Sequence, residues 1–253
     1  LLEGIPFDNT SPFDSEFVLQ VVSRSIPSEG RWNTMQGYSW KEVCFKLISW
    51  DTSSMIPLLD TLLNAMGNIY CLSYDTNILA VANKLVQSNP IRAWETVKTQ
   101  FEQILPKWRS DLLHWLKGGI GGFGEKEPYA IISAIPVKEI LDWIEEDPTI
   151  RAPIIAHATP GTLSKEHGGD LTRELLIRYK MIDGVLSGID GNFHSGGWSG
   201  PRSNYLKRKR EKFRNWLAAG FEQEITQWLE EEIEYLDKSI TREEIAEERS
   251  MFS

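Results

Sequence analysis

Gly118, Gly119, Ile120, Gly121, Gly122, Phe123 and Gly124 form the stretch closest in composition to a phosphate-binding loop. A phosphate loop needs Lys and then Ser or Thr after its last glycine, so that an amine and a magnesium ligand meet the phosphates. Glu125, Lys126 and Glu127 follow instead, and a carboxylate there repels phosphate. A dinucleotide fingerprint needs a preceding strand, whereas a helical pattern precedes this run. It reads as an inter-helix loop. The four histidines, His114, His157, His167 and His194, are never spaced i,i+4, and no cysteine is near them in sequence. No zinc-type spacing results. His114 and His157 fall on helical segments and should be half-buried. His167 and His194 fall in apparent loops and should be exposed. Neither Cys44 nor Cys71 carries a catalytic signature, and no G-x-S-x-G is present. The glutamate runs fall on solvent faces of helices, and a nuclease of the restriction type would need Asp, Glu and Lys converging from strands. No catalytic residue, metal site or cofactor is assigned.

The C-terminal charges are more informative. Residues 202–214 hold seven basic side chains, Arg202, Lys207, Arg208, Lys209, Arg210, Lys212 and Arg214, against Glu211 alone, a net of +6. Residues 222–249 hold eleven carboxylates and three basic residues, a net of −8. A basic helix joined to an acidic one at Ala219-Gly220 predicts an antiparallel hairpin with complementary flanks. The other reading is a basic stripe that touches nucleic acid or an acidic partner. Interleaved aromatics would favour it, but Phe213 and Trp216 fall on the apolar face and read as core. Just upstream, residues 190–202 carry five glycines and prolines, a composition that predicts a non-helical loop. Phe193 and Trp198 either pin that loop to the core or serve as binding anchors. The candidate partner-binding residues are therefore Phe193, His194, Trp198, Arg202, Lys207, Arg208 and Arg210.

The chain that must position these groups has 253 residues, a net charge of −9 and ten tryptophans. Such acidity excludes a general nucleic-acid binder while allowing local basic patches. Tryptophan suits helix interfaces, where it buries a large area while its N–H finds a partner. Two cysteines give no disulfide framework, so a reducing cytoplasm is expected. No apolar run reaches the roughly 18 residues of a membrane helix, and no signal peptide opens the chain. It starts at Leu1 rather than Met, which predicts a piece of a longer polypeptide.

Helical periodicity dominates. Helices are predicted over 14–25 (capped by Asp14), 39–50, 55–66, 76–87, Pro90 to Leu105, Pro106 to Leu116, 170–179 (capped by Asp170), 203–218 and 221–240. A tail over 241–250 opens at Thr241 with a capping-box spacing to Glu244. Residues 68–74 and 129–135 are rich in β-formers but short. The fold class is all-α, with about ten to twelve helices and short connections.

Residues 136–158 form the clearest unit: an amphipathic helix, an Asp147-Pro148 break, and an apolar helix with the pair Ile150-Arg151. Asn89, Pro90, Ile91, Arg92 and Ala93 echo it. In Asp147, Ile150, Arg151 and Ala152 the hairpin resembles the HEAT-repeat consensus, whose second helix opens with Asp, a short spacer, an aliphatic-Arg pair and small residues. Glu174 to Lys180, Asn192 to Pro201 and Trp228 to Leu236 follow in order. This series, over about residues 128–250, resembles helical C-terminal regions of large bacterial multidomain proteins, among them signal-transduction NTPases and sirtuin-like proteins of antiphage defence. The resemblance implies an irregular α-solenoid of HEAT-like hairpins acting as a sensor or scaffold. An N-terminal helical part over 1–127 and a HEAT-like part over 128–253 would form one continuous domain. The function expected is non-catalytic protein interaction within a larger protein. The alternatives are a metal-dependent all-α enzyme or nuclease accessory domain, and a nucleic-acid scaffold using residues 202–214. A protein partner is expected, nucleic acid is a second candidate, and no membrane is involved.

Overall fold

The computed structural model describes residues 15–27, 34–68, 75–104, 110–117, 130–195 and 197–251. Among them are twelve α-helices and no strand: α1 Ser15–Arg24, α2 Thr34–Trp50, α3 Thr52–Asn68, α4 Thr76–Ser88, α5 Pro90–Ile104, α6 Ser110–Leu116, α7 Val137–Glu146, α8 Pro148–Ala158, α9 Gly169–Tyr179, α10 Val185–His194, α11 Arg202–Ala219 and α12 Gln223–Met251. The all-α class and the helix number match the sequence reading. Residues 131–134, a candidate strand, form a 3₁₀ turn instead. The glycine run at 118–124, residues 69–74, Asp14, Pro106 and Cys71 lie outside the described residues.

Three helix pairs are joined by a single residue. Asp51 closes α2 and opens α3, Asn89 joins α4 to α5, and Asp147 joins α7 to α8. Asn89 and Asp147 share one backbone geometry, φ −149° and ψ 72° against φ −153° and ψ 78°. Each side chain accepts from the first turn of the next helix: Ser54 N–H at 3.2 Å, Arg92 N–H at 3.4 Å and Ile150 N–H at 3.4 Å. A short Asx side chain closes one helix and caps the next in one step. Proline at the first helical position of α5 and α8 gives up an N–H that had no helical partner. The echo between 89–93 and 147–152 is thus structural, and Asp51 is a third instance that lacks the proline.

Helices pack on their neighbours and on the next helix but one. α1 lies on α3, α2 on α4, α3 on α5, α6 on α8 and α8 on α10, while α11 pairs with α12 and α9 with α12. One contiguous apolar core runs from Val18 to Ile240. Indole N–H groups find acceptors as burial demands: Trp40 at Val22 O (3.1 Å), Trp94 at Glu139 O (3.1 Å), Trp115 at Asn83 Oδ1 (2.8 Å) and Trp143 at Glu102 Oε1 (3.3 Å). Cys44 is buried, and burial pushes its thiol far above the ordinary range. No helix among the described residues is long and apolar enough to cross a membrane.

Several expectations need correction. Residues 190–194 are helix, the end of α10, and not loop. Upstream in α10, Gly188 belongs to a close helix crossing: a Cβ there would sit 3.0 Å from Ala156 Cβ and from His157 N, whereas Gly191 faces open space. The buried Asn192 amide locks the same crossing, donating to Ala156 O (2.8 Å) and Thr159 Oγ1 (3.2 Å). Asp170 is not a cap. α9 opens at Gly168, in the left-handed region at φ 82°, and Asp170 faces Arg173 at 3.6 Å from inside the first turn. Thr241 does not start a helix. α12 runs through it to Met251, and its hydroxyl bonds back to Asp237 O at 3.1 Å.

Candidate partner-binding face on the C-terminal hairpin

α11 and α12 form the expected antiparallel hairpin, and charge sets its register. Arg202 meets Glu243 at 3.0 Å, Lys207 meets Glu244 at 2.6 Å, Arg210 meets Asp237 at 2.5 Å, and Arg214 meets Asp237 at 3.7 Å. Glu247 of α12 also caps α11, accepting from Ser203 N–H (3.0 Å) and Ser203 Oγ–H (2.6 Å). Those two bonds hold its carboxyl below the usual glutamate range. Pro201 at the cap position offers no side-chain acceptor of its own, so the cap comes from the partner helix.

Four of the seven basic residues of 202–214 are therefore committed to α12. Arg208 and Lys209 meet no carboxylate among the described residues and, with Lys212, face another way. Trp198, Arg202, Tyr205, Lys209, Lys212 and Trp216 alternate in steps of four and three, the spacing of one helical face. The Arg202 guanidinium lies 5.2 Å from the Trp198 ring centroid. Trp198 stacks on Tyr205 at 5.7 Å and 25°. Lys209 Nζ sits over Tyr205 and Lys212 Nζ over Trp216, each at 4.8 Å. Trp198 is 49% exposed, whereas Trp216 is half-buried at the rim and not in the core. Beside this row an open groove of about 230 Å³ runs between α11 and Gly161. Phe193, Phe213 and Trp216 line it, with Arg208, Lys209 and Lys212 around its mouth.

Two candidate residues prove structural. Phe193 is only 5% exposed and packs edge-on against Phe213 (5.6 Å), Trp216 (5.6 Å) and Trp228 (5.0 Å). It is core, with one edge at the groove, and not a free anchor. His194 is not in an exposed loop. It ends α10, half-buried, with Nε2 2.6 Å from Glu232 Oε2 and its ring edge-on to Tyr235. Beside it Asp190 accepts from Trp228 Nε1–H at 3.0 Å. Burial holds the Asp190 carboxyl above the usual range. The Trp228 bond and His194 act against the shift, and Glu232 and Glu231 add to it. Lys117, after α6, reaches the same end of α10 through Ser195 Oγ at 3.1 Å.

No family model, no curated protein and no solved structure matches this chain. Among the described residues, no three His, Cys, Asp or Glu side chains group so as to hold a metal ion. The surface features on view are an accessible aromatic–cation row, a small groove and two cations that meet no carboxylate among the described residues. Trp198, Arg202 and Arg208 were legible as candidates. Tyr205 carries no signal of its own beyond its spacing to the cations three and four residues away, and Trp216, expected in the core, is half-buried at its rim.

Proposed function

We propose that this chain is a non-catalytic helical interaction module of a larger protein, and that its C-terminal hairpin presents the binding face. The observation that carries this reading is the row Trp198, Arg202, Tyr205, Lys209, Lys212 and Trp216, held on a hairpin whose register is fixed by ion pairs of which only that of Arg202 involves the row. Rigid aromatics and arginines on a firm support are what protein-interaction hot spots use. The next-but-one helix packing and the three single-residue Asx junctions support a stacked array of helix hairpins. Two of those junctions, at Asp51 and Asn89, are separated by about the 40 residues of a HEAT-type repeat. An irregular α-solenoid presents extended surface to partners. The ordered motif series over 128–250 supports placing the module in a bacterial, cytoplasmic sensor or scaffold protein, with antiphage defence as the setting.

Affinity capture from a cell extract tests the reading. Partners should be retained by the native chain and lost by the double variant Trp198→Ala, Lys209→Glu. An identical partner set for both contradicts the assigned face. Turnover of nucleotide or cutting of nucleic acid by the chain alone contradicts the non-catalytic reading. The interleaved aromatics and cations favour one second reading, single-stranded nucleic-acid binding. In that case affinity falls steeply as salt rises, because phosphate contacts release counterions.

A further inference from the structure

We infer that the groove beside α11 receives one large apolar side chain, flanked by carboxylates, from an acidic segment of a partner protein. This rests on the interaction reading above and names the chemistry of its partner. Size comes first. At about 230 Å³ the groove lies below the roughly 300–1,000 Å³ of small-molecule pockets, and suits a single side chain. Its aromatic lining, Phe193, Phe213 and Trp216, takes an apolar group in preference to a polar one. Charge comes next. Arg208, Lys209 and Lys212 surround the mouth, and the first two have no carboxylate among the described residues. They span four residues, about 6 Å along the helix axis, the reach of one or two anionic groups on either side of an anchor.

The same facts weigh against a nucleic-acid strand. A strand needs an electropositive track that continues from phosphate to phosphate, and α12 neutralises the rest of this one through Glu243, Glu244 and Asp237. Base stacking needs open ring faces, yet Tyr205 already carries Trp198 and Lys209, and Trp216 carries Lys212. The chain as a whole is at −9. An acidic peptide needs only the local field. The stack of Trp198, Tyr205 and Lys209 holds the Lys209 head in place before binding, which lowers the ordering cost of capturing a carboxylate.

Random twelve-residue peptides displayed on phage, selected on the immobilised full chain, test this. The enriched sequence is then made with a fluorescein label for anisotropy titration. The expected consensus is Asp or Glu on both sides of one Phe, Trp, Leu or Met. Affinity should fall at least about tenfold when that anchor becomes Ala, and again in Arg208→Glu, Lys209→Glu. Lys209→Gln should lose less, and circular-dichroism melts should stay unchanged because neither residue holds an internal ion pair. No enrichment, a consensus without carboxylates, or equal binding by the charge-reversed variant overturns the groove assignment. Tight binding of a labelled twenty-nucleotide oligothymidylate, abolished by the same variant, also overturns it. Peptides that bind regardless of the groove variants leave the interaction reading standing while removing this site. Thus the two claims fail separately.

Discussion

The molecule uses tryptophan and a cation twice, with opposite results. At the junction of α5, α7 and α8, Trp143 is 2% exposed, edge-on to Trp94 (5.6 Å) and stacked on Phe101 (5.6 Å). The Arg151 guanidinium covers its ring at 4.7 Å and donates to Trp143 O (2.7 Å) and to Glu146 Oε2 (2.5 Å), with Glu102 Oε1 3.6 Å away. The cation there is consumed: its donors point at groups of the chain. Just before α11, Trp198 is exposed, and on α11 Arg208 and Lys209 have no acidic partner among the described residues. The same residue types yield a clamp where partners converge and spare recognition capacity where they do not. An aliphatic-Arg pair near a helix start therefore marks a packing site here: Ile150 is exposed while Arg151 turns inward.

Five substitutions test this contrast, taken from the largest effect to the smallest. Trp143→Ala should cost about 3–5 kcal/mol, the usual loss for a buried large aromatic, read as a lower urea midpoint. Arg151→Ala should cost about 2 kcal/mol, since it removes a cation–π contact and leaves Trp143 O and Glu146 without their donor. Arg151→Lys should recover only part, because an ammonium lacks the planar fork that lies over the Trp143 ring while donating to Trp143 O and Glu146.

Asp190→Asn tests the polar cluster under the hairpin. Burial raises the folded-state value of Asp190, so ionisation opposes folding. Below the unfolded value, about pH 4, the carboxyl is protonated in both states and no cost exists. The cost grows as pH rises through the raised folded value and persists above it. Asparagine keeps the acceptor for Trp228 and removes the charge. Its melting temperature should exceed that of the native chain at neutral pH, with the gap closing towards pH 4. A gap independent of pH would exclude this origin. Trp198→Ala should shift stability by no more than about 0.5 kcal/mol, as for surface positions outside the core, while abolishing partner capture.

Periodicity made the twelve-helix frame legible, because alternate faces of α4, α7 and α12 differ so clearly in polarity. It failed at α10. Gly191 falls in the glycine- and proline-rich stretch read as loop, yet α10 runs through it to His194, and its crossing with α8 uses the glycine at 188. It failed again at Thr241, where a local capping pattern is overridden by α12 continuing along α11. The antiparallel pairing of a basic with an acidic helix was legible from the charge blocks, but not the ion-pair register, which depends on which side chains meet across the hairpin. The groove was not, since Gly161 and Phe193 come from distant parts of the chain. Phe193 was left between core and anchor for the same reason: an aromatic in a glycine-rich stretch gives no sign of which neighbours will bury it.

The central claim is that Arg208 and Lys209 of α11, which meet no carboxylate among the described residues, serve binding and not folding. An anisotropy titration of the selected acidic peptide against the native chain and Arg208→Glu, Lys209→Glu tests it most directly. The account predicts at least about a tenfold loss of affinity with an unchanged thermal melt. Equal affinity for both proteins, or a loss explained by a collapsed melt, would contradict it.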